Sequence, residues 1–327
     1  MIKKVVQSAL NHYFRVSNLK TMRAMHDLPA IYEKTLSQVR CVIGHMAGAD
    51  GNFHRCVRRP KMNDLEVIAL ALTAESMGID SESLLFSKLR SDYRDRFPLL
   101  VDRTRFNRRR RALSGQILSF ASEAGARAAA DTGVHLVDSM PCPVIRNSRE
   151  RGYRVCREEI GTAPAKGWSA VDRRYFIGYK LHLVTCSSGV FRDMCITPAN
   201  VHDINYIKGF TEGHVTSGKV LVADRGYISA KVQTSLFDQL DITLKVPYRR
   251  DQKDYRPPDP VMALKRRRIE TLFSQLTDQF KLKLNYAKTF LGFKTRVVSK
   301  LAAVSLLQLI NAQNDRPLNR IKHAWAQ

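Results

Sequence analysis

Two short apolar runs, each closed by an aspartate, most restrict what this chain can become: Gly133-Val-His-Leu-Val-Asp138 and Lys219-Val-Leu-Val-Ala-Asp224. Short apolar runs of this kind, rich in valine and leucine, indicate strands covered on both faces, as in the parallel part of an α/β sheet. Ligand sites in such sheets gather beyond the carboxyl ends of the strands. Each run therefore delivers a carboxylate to the rim of the core, and if the two strands are neighbours the aspartates are adjacent.

From Val134 onward the apolar period is strand-like. It predicts a strand ending at Asp138, a hairpin of 175–185 and 190–196 turned at Ser187-Ser-Gly189, and a helix over 202–210. There follow the strand ending at Asp224, a helix over 229–240, a fifth strand over 241–248, a loop over 251–260 with three prolines, and a long helix. Upstream the pattern is helical. Asn63-Asp-Leu-Glu66 reads as a capping box leading into Leu65, Ile68, Ala69 and Leu72 on one buried face, 81–89 restarts a helix, and 103–111 opens an intensely basic one. Two domains are expected: a helical, basic DNA-binding region over 1–130, and an α/β domain over 131–327 with a basic insertion at 143–174 and C-terminal helices.

A formal charge of +24 over 327 residues points to a polyanionic partner, and phosphate backbones are favoured over membrane. The two most apolar segments, 67–79 and 297–310, are interrupted by Glu75 and Lys300, so neither offers the roughly 18 uncharged residues that a span needs. The lysines after Met1 precede too short an apolar core for a signal peptide, which leads to an expectation of a bacterial cytoplasmic, nucleoid-associated protein. Six cysteines with no C-x-x-C pair argue against a zinc finger and read as reduced thiols.

Glu270 lies inside Arg268-Ile-Glu-Thr-Leu-Phe-Ser-Gln-Leu276, where Ile269, Leu272, Phe273, Leu276 and Phe280 form one apolar stripe and Glu270 falls on its flank beside Arg266, Thr277 and Lys281. Three converging carboxylates repel one another unless divalent cations hold them, so Asp138, Asp224 and Glu270 are candidate ligands of Mg²⁺ or Mn²⁺. With two ions per active site, Asp138 would bridge and the other two would each serve one ion.

The chain resembles the DDE transposases of bacterial insertion sequences, of the insertion sequence 982 type. The likeness rests on Val137-Asp-Ser-Met-Pro-Cys-Pro143, Gly178-Tyr-Lys-Leu-His-Leu183, Thr197-Pro-Ala-Asn-Val-His-Asp203, Ala223-Asp-Arg-Gly-Tyr227 and the segment around Glu270. It implies an α/β ribonuclease H-like catalytic domain, a five-stranded mixed sheet with flanking helices, preceded by an α-helical DNA-binding domain. It also implies Asp138, Asp224 and Glu270 as the catalytic, metal-binding triad. Of the Tyr, Arg and Lys that flank the glutamate in many relatives, only Arg266 matches; Ala263 and Thr277 stand at the other two positions, and Lys281 is the candidate substitute.

The partner expected is double-stranded DNA, both element ends and target, bound by a homodimer, with no nucleotide cofactor. Candidate DNA contacts are Arg105, Arg108, Arg109, Arg110 and Arg111 in the basic helix, with Arg266 and Lys281 near the triad. Asp203 reads either as a helix cap or as support for the site, His182 as structural or solvent-facing, and Trp168 as packing or as a base-stacking residue. The same residues would serve a nuclease without strand transfer, and a catalytically inactive DNA-binding descendant is the remaining alternative.

Overall fold

Apolar periodicity and helix caps set the first half of the architecture. The computed structural model describes residues 27–54, 58–248, 255, 257 and 259–326. Most of the 251–260 loop and the first 26 positions of the expected N-terminal region lie outside the described residues. Helix α1 (Leu28–Ile43) starts at Asp27, whose side chain accepts from the Ala30 amide, and buries Leu28, Ile31, Tyr32, Leu36, Val39 and Val42. Helix α2 (Asp64–Ser76) has the expected capping box: Asn63 Oδ1 accepts from Glu66 N at 2.9 Å, and Glu66 Oε2 from Asn63 N at 2.8 Å. Helices α3 (Glu82–Ser91), α4 (Arg103–Ala112) and α5 (Ser114–Ala128) follow, the first two capped by Ser81 and Asp102.

One expectation for α2 fails. It is buried on all sides from Val67 to Thr73, not along one face, because it lies between α1 and the C-terminal helix α9 (Phe290–Gln313). Helix α9 is itself buried nearly all round from Val297 to Asn311 and also packs on α5, α4 and the sheet. The interruptions that excluded membrane spans meet here: Lys300 Nζ of α9 donates to Glu75 Oε2 of α2 at 2.7 Å and to Asp80 Oδ1 at 3.2 Å, fully buried. A single apolar cluster consequently runs from Leu28 through the helices and one sheet face to Ala324. Among the described residues no helix is long and apolar enough to cross a membrane.

The sheet contains β1 (Val134–Ile145), β2 (Ala165–Ser169), β3 (Arg174–Cys186), β4 (Phe191–Pro198), β5 (Val220–Val222) and β6 (Thr243–Lys245). Its order is β2-β3-β1-β5-β6; β3 also pairs with β4, which takes 179–185 while β2 takes 174–178. Strands β1, β5 and β6 are mutually parallel, whereas β1–β3 and β3–β4 are antiparallel. Helices α6 (Ile204–Lys208) and α7 (Ala230–Leu240) cover the face that presents Val137, Val184, Leu221 and Ala223. Helix α8 (Pro260–Asp278) lies against β1 on the other face with Leu136, Met140 and Val222. The alternation of side chains along each strand makes this division.

Two sequence expectations are corrected by the sheet. Among the described residues it has six strands, not five, since β2 lies inside the basic insertion; its inward positions are Gly167 and Ser169, and without apolar residues there the strand period is invisible. Strand β1 does not end at Asp138 but continues to Ile145 through Pro141 and Pro143. These prolines share one parity, so their missing N–H groups face a single edge, and beyond Leu136 the β5 side of β1 has no partner strand among the described residues. A strand with an open edge tolerates prolines there.

Candidate active site

The register fixes where the two aspartates stand. Leu136 pairs with Val222 at the last rung of the β1–β5 ladder, and two residues further along each chain come Asp138 and Asp224. They therefore leave the parallel pair at the same height, on the α8 face that Leu136 and Val222 share. Asp138 Oδ1 accepts from the Ser139 amide at 2.8 Å. Asp224 starts a short 3₁₀ turn over Arg225–Tyr227, and its Oδ1 accepts from the Gly226 amide at 2.8 Å.

Glu270 stands on α8, which lies against β1. Its side chain is 57% exposed, and it is tied to Asp138 through Arg266, one helical turn earlier. Arg266 Nη2 lies 3.5 Å from Asp138 Oδ2 and 3.8 Å from Glu270 Oε1. Among the described residues no three His, Cys, Asp or Glu side chains together form a ligand shell, and the guanidinium bridges the acids. Oxygens that share one Mg²⁺ stand roughly 3–4 Å apart at ligand distances near 2.1 Å. Here Glu270 and Asp138 are joined through Arg266 rather than by ligand spacing.

Burial pushes the Asp138 carboxyl up from an ordinary 3.8 to about 6; the Ser139 amide and Arg266 oppose the rise, while the charges of Asp224 and Asp203 add to it. Tyr227 is fully buried, its hydroxyl has no hydrogen-bond partner, and Asp203, Asp138 and Asp224 all act on it. Burial, then those charges, hold its phenol well above the usual range. An orphaned hydroxyl beside carboxylates that repel one another fits a place for a hard divalent cation, whose charge would relieve the repulsion and for which carboxylate oxygen is the preferred donor.

Residues 130–306, more than half of the chain, match the family described as Transposase DDE domain. The chain belongs to that family. A stretch of 74 residues is 35% identical to the transposase for insertion sequence element IS1106 of Neisseria meningitidis serogroup B, covering 21% of this chain and 25% of that relative. The family assignment agrees with the resemblance read from the motifs, but nothing in these matches supports the narrower insertion sequence 982 type. No solved structure matches. The family region contains Asp138, Asp224, Glu270 and Arg266.

The other expected contacts divide. Lys281 does not continue the Glu270 flank, because α8 ends at Asp278 and Lys281 turns away in a left-handed conformation with φ 51°. It lines a cleft with Arg103, Arg110 and Arg111 instead. In the basic helix α4, Arg109 bonds Asp64 at 2.5 Å and the Met62 carbonyl, while the buried Arg110 bonds Glu82 at 2.7 Å. These two hold α4 against α2 and α3. Arg105 and Arg108 face solvent, Arg111 is half-buried, and Arg105 also lies 3.6 Å from Asp102. Helical spacing could not separate the inward pair, because the partners are 45 and 28 positions away.

Part of the basic insertion lines a cleft of about 1110 Å³ through Arg146, Arg149, Arg151, Arg154 and Arg174, with Lys283 opposite. Trp168 is 51% exposed and rests edge-on against Tyr175, so it is a surface residue rather than a core one. His182 is buried and bonded to Thr197 Oγ1 at 2.9 Å, so of its two readings the structural one holds and the solvent-facing one does not. Asp203 stands at the N-cap of α6, but its side chain makes no capping bond; its Oδ1 accepts from Lys180 Nζ at 2.9 Å instead. Sequence reading assigns neither Lys180 nor Tyr227 to the site and leaves Asp203 between a cap and a supporting role, although all three lie in motifs that carry the family likeness.

Proposed function

We propose that this chain is a DNA transposase with a ribonuclease H-like catalytic domain over 131–327. Water would hydrolyse a phosphodiester at each element end and release a 3′-hydroxyl. That hydroxyl would then attack a target phosphodiester, forming the new bond as the target's own 3′-oxygen leaves. The observation that carries the reading is the equal height of Asp138 and Asp224 on neighbouring parallel strands, with Glu270 linked to Asp138 through Arg266.

Asp138, Asp224 and Glu270 would hold two Mg²⁺ or Mn²⁺ ions, Asp138 serving both. The cations, when bound, would supply Lewis-acid stabilisation of charge at the phosphate and a lowered pKa for the attacking hydroxyl group. The Ser139 and Gly226 amides fix one oxygen of each aspartate, leaving the other directed by its surroundings. Arg266 offsets the acid charge before the ions arrive and is free to meet a phosphate once they do. Arg105, Arg108 and Arg111, with the arginine-lined cleft of the insertion, would follow the DNA backbone, and a homodimer would bring two sites to paired ends.

The test is incubation of purified protein with a DNA duplex carrying the element ends and a target plasmid in Mg²⁺, mapping nicked and joined products. Both products, lost in Asp138→Asn, Asp224→Asn and Glu270→Gln, are expected. Cleaved ends without joined ones would assign a nuclease, the alternative that shares every acid. Cleavage undiminished in all three variants would refute the catalytic reading and leave only a DNA-binding role.

A further inference from the structure

A fourth carboxylate stands beside the triad, and its surroundings are built. Lys180 of β3 donates to Asp203 Oδ1 at 2.9 Å and to the Val201 carbonyl at 3.0 Å, so the ammonium clamps the chain on which Asp203 sits. The pair is mostly shielded from water. Asp203 Oδ2 faces the turn that carries Asp224: a Cβ added at Gly226 would stand 3.0 Å from Asp224 Oδ1 and 3.6 Å from Asp203 Oδ2. The two acids thus flank one glycine, on which no side chain could be accommodated without displacing Asp224. On the same turn, the partnerless hydroxyl of the fully buried Tyr227 is acted on by Asp203, Asp138 and Asp224 together.

A buried hydroxyl left without a partner is destabilising unless a partner arrives, and an acid held next to a ligating acid adds attraction for a cation without supplying a ligand. We infer that Asp203, fixed by Lys180, is a positioning residue of the metal site, orienting Asp224 and the Tyr227 hydroxyl toward a divalent cation. This rests on the metal reading of Asp138 and Asp224 given above. Lys180 fixes Oδ1 of Asp203 and leaves Oδ2 toward the Asp224 turn, where its charge acts on its neighbours.

The experiment measures Mn²⁺ binding to the metal-free full-length chain by electron paramagnetic resonance, without DNA, for wild type, Asp138→Asn, Asp203→Asn and Tyr227→Phe. Removal of an outer partner typically weakens metal affinity by about 10–100-fold. Asp203→Asn and Tyr227→Phe are each expected to raise the Mn²⁺ dissociation constant by such a factor with unchanged thermal unfolding in chelator. Cleavage by Asp203→Asn should recover at correspondingly higher Mn²⁺, which a folding defect would not allow. Wild-type Mn²⁺ affinity in Asp203→Asn, with binding lost in Asp138→Asn, overturns this inference and leaves the site intact. Wild-type affinity in Asp138→Asn overturns the metal reading itself. If Asp203→Asn does not fold, Lys180→Met is measured in its place against the same factor.

Discussion

Replacing Asp138 by Asn should stabilise the metal-free protein, even though it abolishes the proposed activity. The carboxyl titrates near 3.8 in an unfolded chain and at about 6 in the folded one, so folding raises its pKa. The native state then binds the proton more tightly than the unfolded state between those values. Stability from this group is fully present below about 3.8 and is lost as pH rises through 6. A difference of roughly two units at 1.36 kcal/mol each makes the ionised carboxylate cost about 3 kcal/mol above pH 7. Asn keeps the acceptor that Ser139 N–H reaches and carries no charge to desolvate. Urea unfolding of wild type and Asp138→Asn in chelator, from pH 4 to pH 8, should show curves that coincide at the acid end and separate by up to about 3 kcal/mol at the alkaline end. Adding Mg²⁺ should stabilise wild type and leave the variant unmoved. Equal stabilities at pH 8, or a gap that does not change with pH, would show that Asp138 is not held in the strained, ionised state described here.

Three further outcomes follow from particular contacts. Glu75→Gln leaves the buried Lys300 ammonium with Asp80 alone and should cost about 3–5 kcal/mol in chemical unfolding, whereas the double variant Glu75→Met, Lys300→Met should be close to neutral; a harmless single variant would contradict the burial of the pair. Gly226→Ala puts a methyl 3.0 Å from Asp224 Oδ1, so titration calorimetry should show divalent-cation affinity lowered by about tenfold or more with the fold retained by circular dichroism. If about six basic side chains neutralise phosphates, log affinity for duplex DNA should fall with log salt at a slope of about −5, and Arg108→Ala should reduce the slope by about one while Arg110→Ala should instead destabilise the fold.

Local patterns carried much of this molecule in advance. The capping box at Asn63, the hairpin turned at Gly189 and the helix begun at Ser229 each depend on neighbours a few positions away, and each is present as read. The two valine- and leucine-rich runs specified strand segments, one carrying Asp138 and the other leading to Asp224, because alternation along a strand fixes the face of every side chain relative to its neighbours. What the sequence could not contain was any choice among distant partners. Glu75 and Lys300 looked like flaws in two apolar helices; packing of α2 on α9 made them a buried pair 225 residues apart. Arg109 and Arg110 had the same spacing as the exposed arginines beside them, and only the positions of Asp64 and Glu82 drew them inward. Asp203 read as a helix cap or as support for the site until β3 brought Lys180 to it. Periodicity reports the direction of a side chain from its own backbone, whereas an ion pair also needs a second backbone at the right distance, and that distance exists only after the core has closed.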